Sequence, residues 1–169
     1  LVAALALCLF TARLGWWQLD RAAQKTAMQA ALDQRSAQPP LPVVDWPANA
    51  AQVAASEHRR TQAQGVWLNE RSVYLDNRPL NGRSGFYLVT PLRLHDGTAV
   101  LVQRGWLPRD AGDRTRLPPL PPSSGLVNVA GRIAPALSRV YEFDSAASGA
   151  IRQNLDVVAY ASESRLKLK

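Results

Sequence analysis

Residues 1–12 carry no charge and are apolar apart from Cys8 and Thr11. Arg13 interrupts, and Leu14-Gly15-Trp16-Trp17 follows. Residues 18–34 contain no Gly or Pro and are rich in Ala, Gln, Arg and Lys, all good helix formers. Leu14, Trp17, Arg21 and Lys25 fall at i, i+3, i+7 and i+11, so they share one helical face. Pro39-Pro40 ends the pattern, because proline lacks an N–H and disfavours helix in the residue before it. The pattern predicts one helix over 1–35.

Twelve uncharged residues give about 18 Å of helix, short of a hydrocarbon core of about 30 Å. A signal-peptide core, a buried core helix and the second half of a membrane helix are the three readings. No small-residue cleavage site follows, which counts against the first. Trp16 and Trp17 stand where an interfacial aromatic belt belongs, and Arg13 is close enough to snorkel. The chain starts at Leu1 without Met. We read 1–35 as a truncated transmembrane helix that continues as an exposed helix, leaving the membrane near Trp17.

Beyond Gln38 the texture changes. Prolines 39, 40, 42 and 47 mark an extended connector, and 48–55 suits one short helix. Strand patterns then occupy 61–68, 72–77, 86–94, 98–104 and 126–133, with 138–143 a further short candidate. Pro91 inside the third implies an edge or a bulge. His95-Asp96-Gly97 joins the third and fourth, and Asp-Gly between β-rich runs is a hairpin signal with φ > 0 at both central residues. Residues 109–125 read as an exposed Pro-rich loop, 156–164 as a helix with Asp156 as N-cap, and 166–169 as a strand-like end. The predicted fold is a membrane-anchored α+β chain: an N-terminal transmembrane helix, then a small antiparallel β-barrel-like domain over 36–169 with a few short helices.

The charge changes the picture little. The chain has 169 residues and a net charge of +7, carried by arginines spread from Arg13 to Arg165. Dispersed arginines alternating with acids read as a solvated surface rather than a nucleic-acid face. One cysteine excludes an internal disulfide, and two histidines make a protein-only zinc site or a Ser-His-Asp engine poor fits. Asp76 and Asp110 show no acid–base partner in the sequence. No phosphate loop or dinucleotide fingerprint appears. This inventory argues against an enzyme. A basic barrel of OB type binding nucleic acid or another acidic partner is the alternative class.

Two blocks carry a resemblance. Leu14-Gly15, Trp17-Gln18, Arg21 and Lys25 form the first. The second is Gly85-Phe86-Tyr87-Leu88-Val89-Thr90-Pro91, then Gly97, then Arg104-Gly105-Trp106-Leu107-Pro108. In order and separation they resemble the Surfeit locus protein 1 family of cytochrome c oxidase assembly factors. The resemblance implies two membrane helices flanking an extracytoplasmic domain, with the second expected after Lys169. It implies a role in maturing the heme a centres of oxidase subunit I, with subunit I, other oxidase subunits or assembly factors, and membrane lipid as partners, and no nucleic acid. It places the chain in a bacterial inner membrane with its domain on the periplasmic side, ahead of a mitochondrial location. Heme a is a possible ligand of the family, but the suspected histidine lies beyond Lys169. No cofactor is therefore assigned within the chain. Gln103 stands where the family usually has Asn.

The block residues have structural and functional readings side by side. Gly85 serves backbone geometry, and Thr90-Pro91 reads as a strand-edge device. Gly105 allows a bulge, Trp106 caps the barrel, and Pro108 ends pairing; Arg104 and its neighbours are otherwise a partner-facing edge. Arg21 and Lys25 bind lipid phosphates or a partner, or face water. His58 is a heme-ligand candidate only by default, and His95 is expected in an exposed turn.

Overall fold

The structure, a computed structural model, describes residues 1–113, 116–120, 122, 125–134, 137 and 149–169. The strand expected over 138–143 lies outside the described residues.

Helix α1 spans Val2–Ala37 and buries none of its residues. Its length, about 54 Å at 1.5 Å per residue, exceeds what a bilayer core needs. It contains a segment long and apolar enough to cross a membrane. Leu5, Leu7, Leu9 and Phe10 are exposed around its whole circumference. In this segment the Thr11 hydroxyl donates back to the Leu7 and Cys8 carbonyls, so its own polar hydrogen is not stranded. Beyond it, Gln24 donates to Asp20 and Gln29 to Asp33 across single turns. The helix runs two residues further than expected because Pro39 constrains only Gln38, which is extended at ψ 151°.

Helix α2 (Ala50–Ser56) starts on Asn49, whose side chain accepts from the Gln52 N–H. Then come β1 (Arg60–Trp67), β2 (Val73–Leu75), β3 (Gly85–Leu94), β4 (Ala99–Pro108), β5 (Leu126–Arg132), β6 (Ile151–Arg152) and α3 (Val157–Ser164). Asp156 caps α3 by accepting from the Val158 and Ala159 N–H groups, as the sequence predicts.

The six strands form one sheet in the order β5-β1-β3-β2-β6, with β4 on the other side of β3. One edge of β3 carries β4 along its length. The other is shared, β2 pairing its first half and β1 its last residues. Only β2 and β6 run parallel among the named strands. The expectation of a small, partly closed antiparallel β-barrel-like domain is corrected: among the described residues the sheet is mixed and does not close into a barrel. Strands of three and two residues, β2 and β6, are too short to wrap it round.

The predicted pairing of 86–94 with 98–104 is present and antiparallel. The turn differs in detail. Gly97 alone among its residues has positive φ, at 80°, and its N–H donates to the Leu94 carbonyl at 3.1 Å. This is a type I turn followed by a left-handed glycine, not a two-residue mirror-image turn. Asp96 Oδ1 fixes it by accepting from the Thr98 backbone N–H and hydroxyl. These bonds, with Lys169 at 3.4 Å, hold the Asp96 carboxyl down at about 2.

Pro91 sits in the central strand, not at an edge. Its carbonyl accepts from the Leu68 N–H, which places its missing N–H at the seam where β2 stops and β1 begins. The sheet thus tolerates it.

Alternation along β2 and β3 splits the core. Val73, Leu75 and Val89 face Leu155 and Tyr160, on one side. Tyr74, Phe86 and Leu88 face Leu107, Leu117, Leu120 and Ile151 on the other. Leu117 and Leu120 belong to the stretch expected to be an exposed loop. Part of it instead lies on the sheet, with the Pro118 carbonyl accepting from Tyr74 Oη at 3.0 Å. Residues 166–169 contribute one parallel bridge, Leu168 to Ala99.

Candidate functional site: a scaffold knot and an exposed helix face

The second block folds into a knot across β3 and β4. Leu88 pairs with Gly105 and Val89 with Gln103, so Arg104 is an extra residue on β4. This bulge needs Gly105, whose φ is 140°. Past the bulge, the Trp106 indole lies over Gly85. A Cβ on Gly85 would stand 2.4 Å from two indole carbons and 2.5 Å from the Leu107 carbonyl oxygen. Gly85 is therefore the space that Trp106 occupies.

Trp106 Nε1 donates to the Arg78 carbonyl at 2.6 Å. Arg78 is itself buried, 5% exposed. Its guanidinium donates to the Asp76 and Gln153 carbonyls, both at 2.9 Å. Burial pulls its pKa below the usual arginine value, opposed by Tyr87 and Asp76. Arg109 pairs with Asp76 and lays its guanidinium over the Phe86 ring at 4.8 Å. Asp76 thus has an ion-pair partner that the sequence did not reveal.

Arg104 stacks over the Trp67 ring at 4.4 Å and donates to Asn69 Oδ1 at 3.1 Å. Burial lowers its pKa, with Tyr74 opposing. Thr90 is fully buried, its hydroxyl 2.9 Å from that of Ser72. Pro108 is the last residue of β4, opposite Gly85. This block therefore builds and locks the sheet. It presents no nucleophile beside a base.

The first block is placed otherwise. Leu14, Trp16 and Trp17 are exposed on α1, and the Arg21 guanidinium sits 5.5 Å over the Trp17 ring. Gly15, Gln18 and Lys25 are exposed too. The helix meets the sheet at its far end, where Arg132 donates to Ser36 Oγ at 2.6 Å. Trp17 and Ser36 are nineteen positions apart, about 28 Å of helix. The structure does not bring the two blocks together.

The histidines have no apolar seat. His58 is half-exposed, with Nε2 3.2 Å from Glu57 Oε1, and His95 is exposed in the hairpin turn. Cys8 is exposed on α1. Among the described residues no three metal-binding side chains cluster.

The profile of the SURF1 family matches residues 5–168, nearly the whole chain. The chain belongs to the SURF1 family. Cytochrome oxidase assembly protein SHY1 of Saccharomyces cerevisiae is 30% identical over 104 residues, covering 56% of this chain and 24% of that protein. Surfeit locus protein 1 of Arabidopsis thaliana is 32% identical over 114 residues, covering 61% and 32%. A SURF1-like protein of Rickettsia felis is 30% identical over 96 residues, covering 55% and 39%. The chain thus spans about a quarter to two fifths of the length of these SURF1 relatives.

Proposed function

We propose that this SURF1-family chain is a membrane-anchored, non-catalytic factor for cytochrome oxidase biogenesis. It holds oxidase subunits, subunit I among them, while the heme a centres of that subunit mature. The observation that carries this reading is the lone helix. Leu14, Trp17, Gln18 and Arg21 present a patterned face and bury none of it within the chain. Trp supplies a large apolar contact with one donor, and Arg a planar fork for carboxylates. The sheet's β3–β4 region is locked by Trp106 over Gly85 and by the Arg78 and Arg109 contacts, which suits a platform for a partner. The domain then lies on the periplasmic side of a bacterial inner membrane, which its positive charge does not oppose, since long domains cross largely regardless of charge.

Neither histidine nor the cysteine offers heme a an enclosed apolar seat. Heme iron takes its axial ligand from His, Cys, Met or Tyr, and a histidine is the commonest choice. His58 faces Glu57, and His95 and Cys8 are exposed.

The nucleic-acid alternative needs exposed aromatics along a basic groove. On the sheet, Tyr74 and Phe86 are buried, while Trp67 and Trp106 are engaged by Arg104 and Arg78. That arrangement favours the assembly reading.

The test is a strain lacking the protein. Oxidase heme a absorbance is expected to fall while other hemes are made normally. Unchanged oxidase heme a would overturn the proposal.

A further inference from the structure

A third surface lies apart from both blocks, where β1 begins and β5 ends. Arg60 and Arg132 are direct cross-strand partners, both exposed, and Arg59 is next to them. Like charges placed opposite one another weaken a strand pair. None of the three forms an ion pair among the described residues. Each donates instead to a neutral oxygen at the end of α1 or just past it. Arg59 reaches the Pro39 carbonyl at 3.1 Å, Arg60 the Gln38 carbonyl at 3.5 Å, and Arg132 the Ser36 hydroxyl at 2.6 Å. A guanidinium offers five N–H donors, so most are left over. Arg59 Nε is buried with no hydrogen-bond partner among the described residues.

Among the described residues the adjoining edge is open. β5 is the outermost strand, paired only with β1 among the described residues. The Ile133 N–H donates to the Arg59 carbonyl, and its own carbonyl accepts from the His58 N–H. Its backbone groups therefore turn toward β1. Alternation turns those of Arg132, Ala130 and Asn128 outward. Such an edge accepts an added strand.

We propose that the arginine cluster and the open edge of β5 together dock an extended acidic segment of a partner protein. Strand addition supplies main-chain hydrogen bonds, and carboxylates neutralise the opposed arginines. Lipid headgroups are the weaker match. The cluster lies about 28 Å along the helix from Trp17, beyond three Debye lengths of about 8 Å each. The proposal stands independently of which complex the chain serves.

The test uses the full chain in nanodiscs of zwitterionic lipid. The probe is a labelled peptide of alternating Glu and Val, about eight residues long, an ordinary strand length. Saturable binding is expected, with slowed amide exchange at Asn128, Ala130 and Arg132. Arg60→Gln with Arg132→Gln should weaken binding about fivefold or more. Arg60→Lys with Arg132→Lys should retain most of it. A peptide with Pro at alternate positions lacks half of its N–H donors and should bind poorly. That arm needs no variant, so a misfolded variant leaves the test intact. Unchanged exchange in β5, or equal binding by the proline peptide, would overturn the proposal. So would full displacement of the peptide by millimolar inorganic phosphate. Protection of β5 by anionic nanodiscs alone would assign the cluster to lipid instead.

Discussion

Replacing Gly85 by Ala tests the knot that joins β3 to β4. The new Cβ would stand 2.4 Å from the Trp106 indole and 2.5 Å from the Leu107 carbonyl oxygen. Neither distance is tolerable, so the indole must move. Overpacking of this kind costs about 1–3 kcal/mol. Moving the indole also breaks its 2.6 Å hydrogen bond to the Arg78 carbonyl. An orphaned buried acceptor costs about 1–3 kcal/mol more. Together these give a loss of about 2–6 kcal/mol, read as amide exchange in β3 faster by roughly 30-fold or more. Exchange is the right assay because it does not depend on the tryptophan under test. In a Trp106→Ala background, Gly85→Ala no longer meets the indole, and the close contact with the Leu107 carbonyl remains. The two substitutions should then couple by about 1–2 kcal/mol. A cost for Gly85→Ala within about 0.5 kcal/mol of zero, or costs that simply add, would show that Trp106 does not depend on the space at Gly85.

Further outcomes follow from other sites. Thr90→Val should cost about 1–2 kcal/mol by stranding the buried Ser72 hydroxyl, and adding Ser72→Ala should recover part of it in urea unfolding. Gly97→Val should cost about 1–2 kcal/mol through its positive φ alone, since its surroundings are open; a loss near zero in the same assay would contradict the turn assignment. Asp96 is held down at about 2, so its contribution is fully present above the unfolded carboxylate range near 3.9 and is lost as pH falls toward 2. The stability gap between the native chain and Asp96→Asn should therefore close between about pH 4 and pH 2.

What the sequence disclosed depended on local patterns. Helix α1 was legible because its composition is helical and Pro39 marks its end. The β3–β4 hairpin was legible because Asp96-Gly97 is a local turn signal. Closure of the sheet was not, because it depends on how far short strands such as β2 and β6 can wrap. Pro91 misled because its tolerance comes from a seam between β1 and β2, set by neighbours distant in sequence. The role of Gly85 was readable as geometry, but not that Trp106 fills its space. The knot of Asp76, Arg78 and Arg109 left no periodic trace. The facing of Arg60 and Arg132 emerges only from the β1–β5 register.

The central claim is that the Trp17, Gln18 and Arg21 face recognises a partner rather than merely anchoring the chain. The direct measurement replaces Leu14, Trp17, Gln18, Arg21 and Lys25 with residues from an unrelated membrane helix. The variant is expressed in a strain lacking the protein, and oxidase heme a absorbance is read alongside the amount of chain in the membrane. A normal amount of chain is expected, with a heme a signal close to that of the deletion strain. Full restoration of heme a would contradict that claim, and would move the partner site to the sheet.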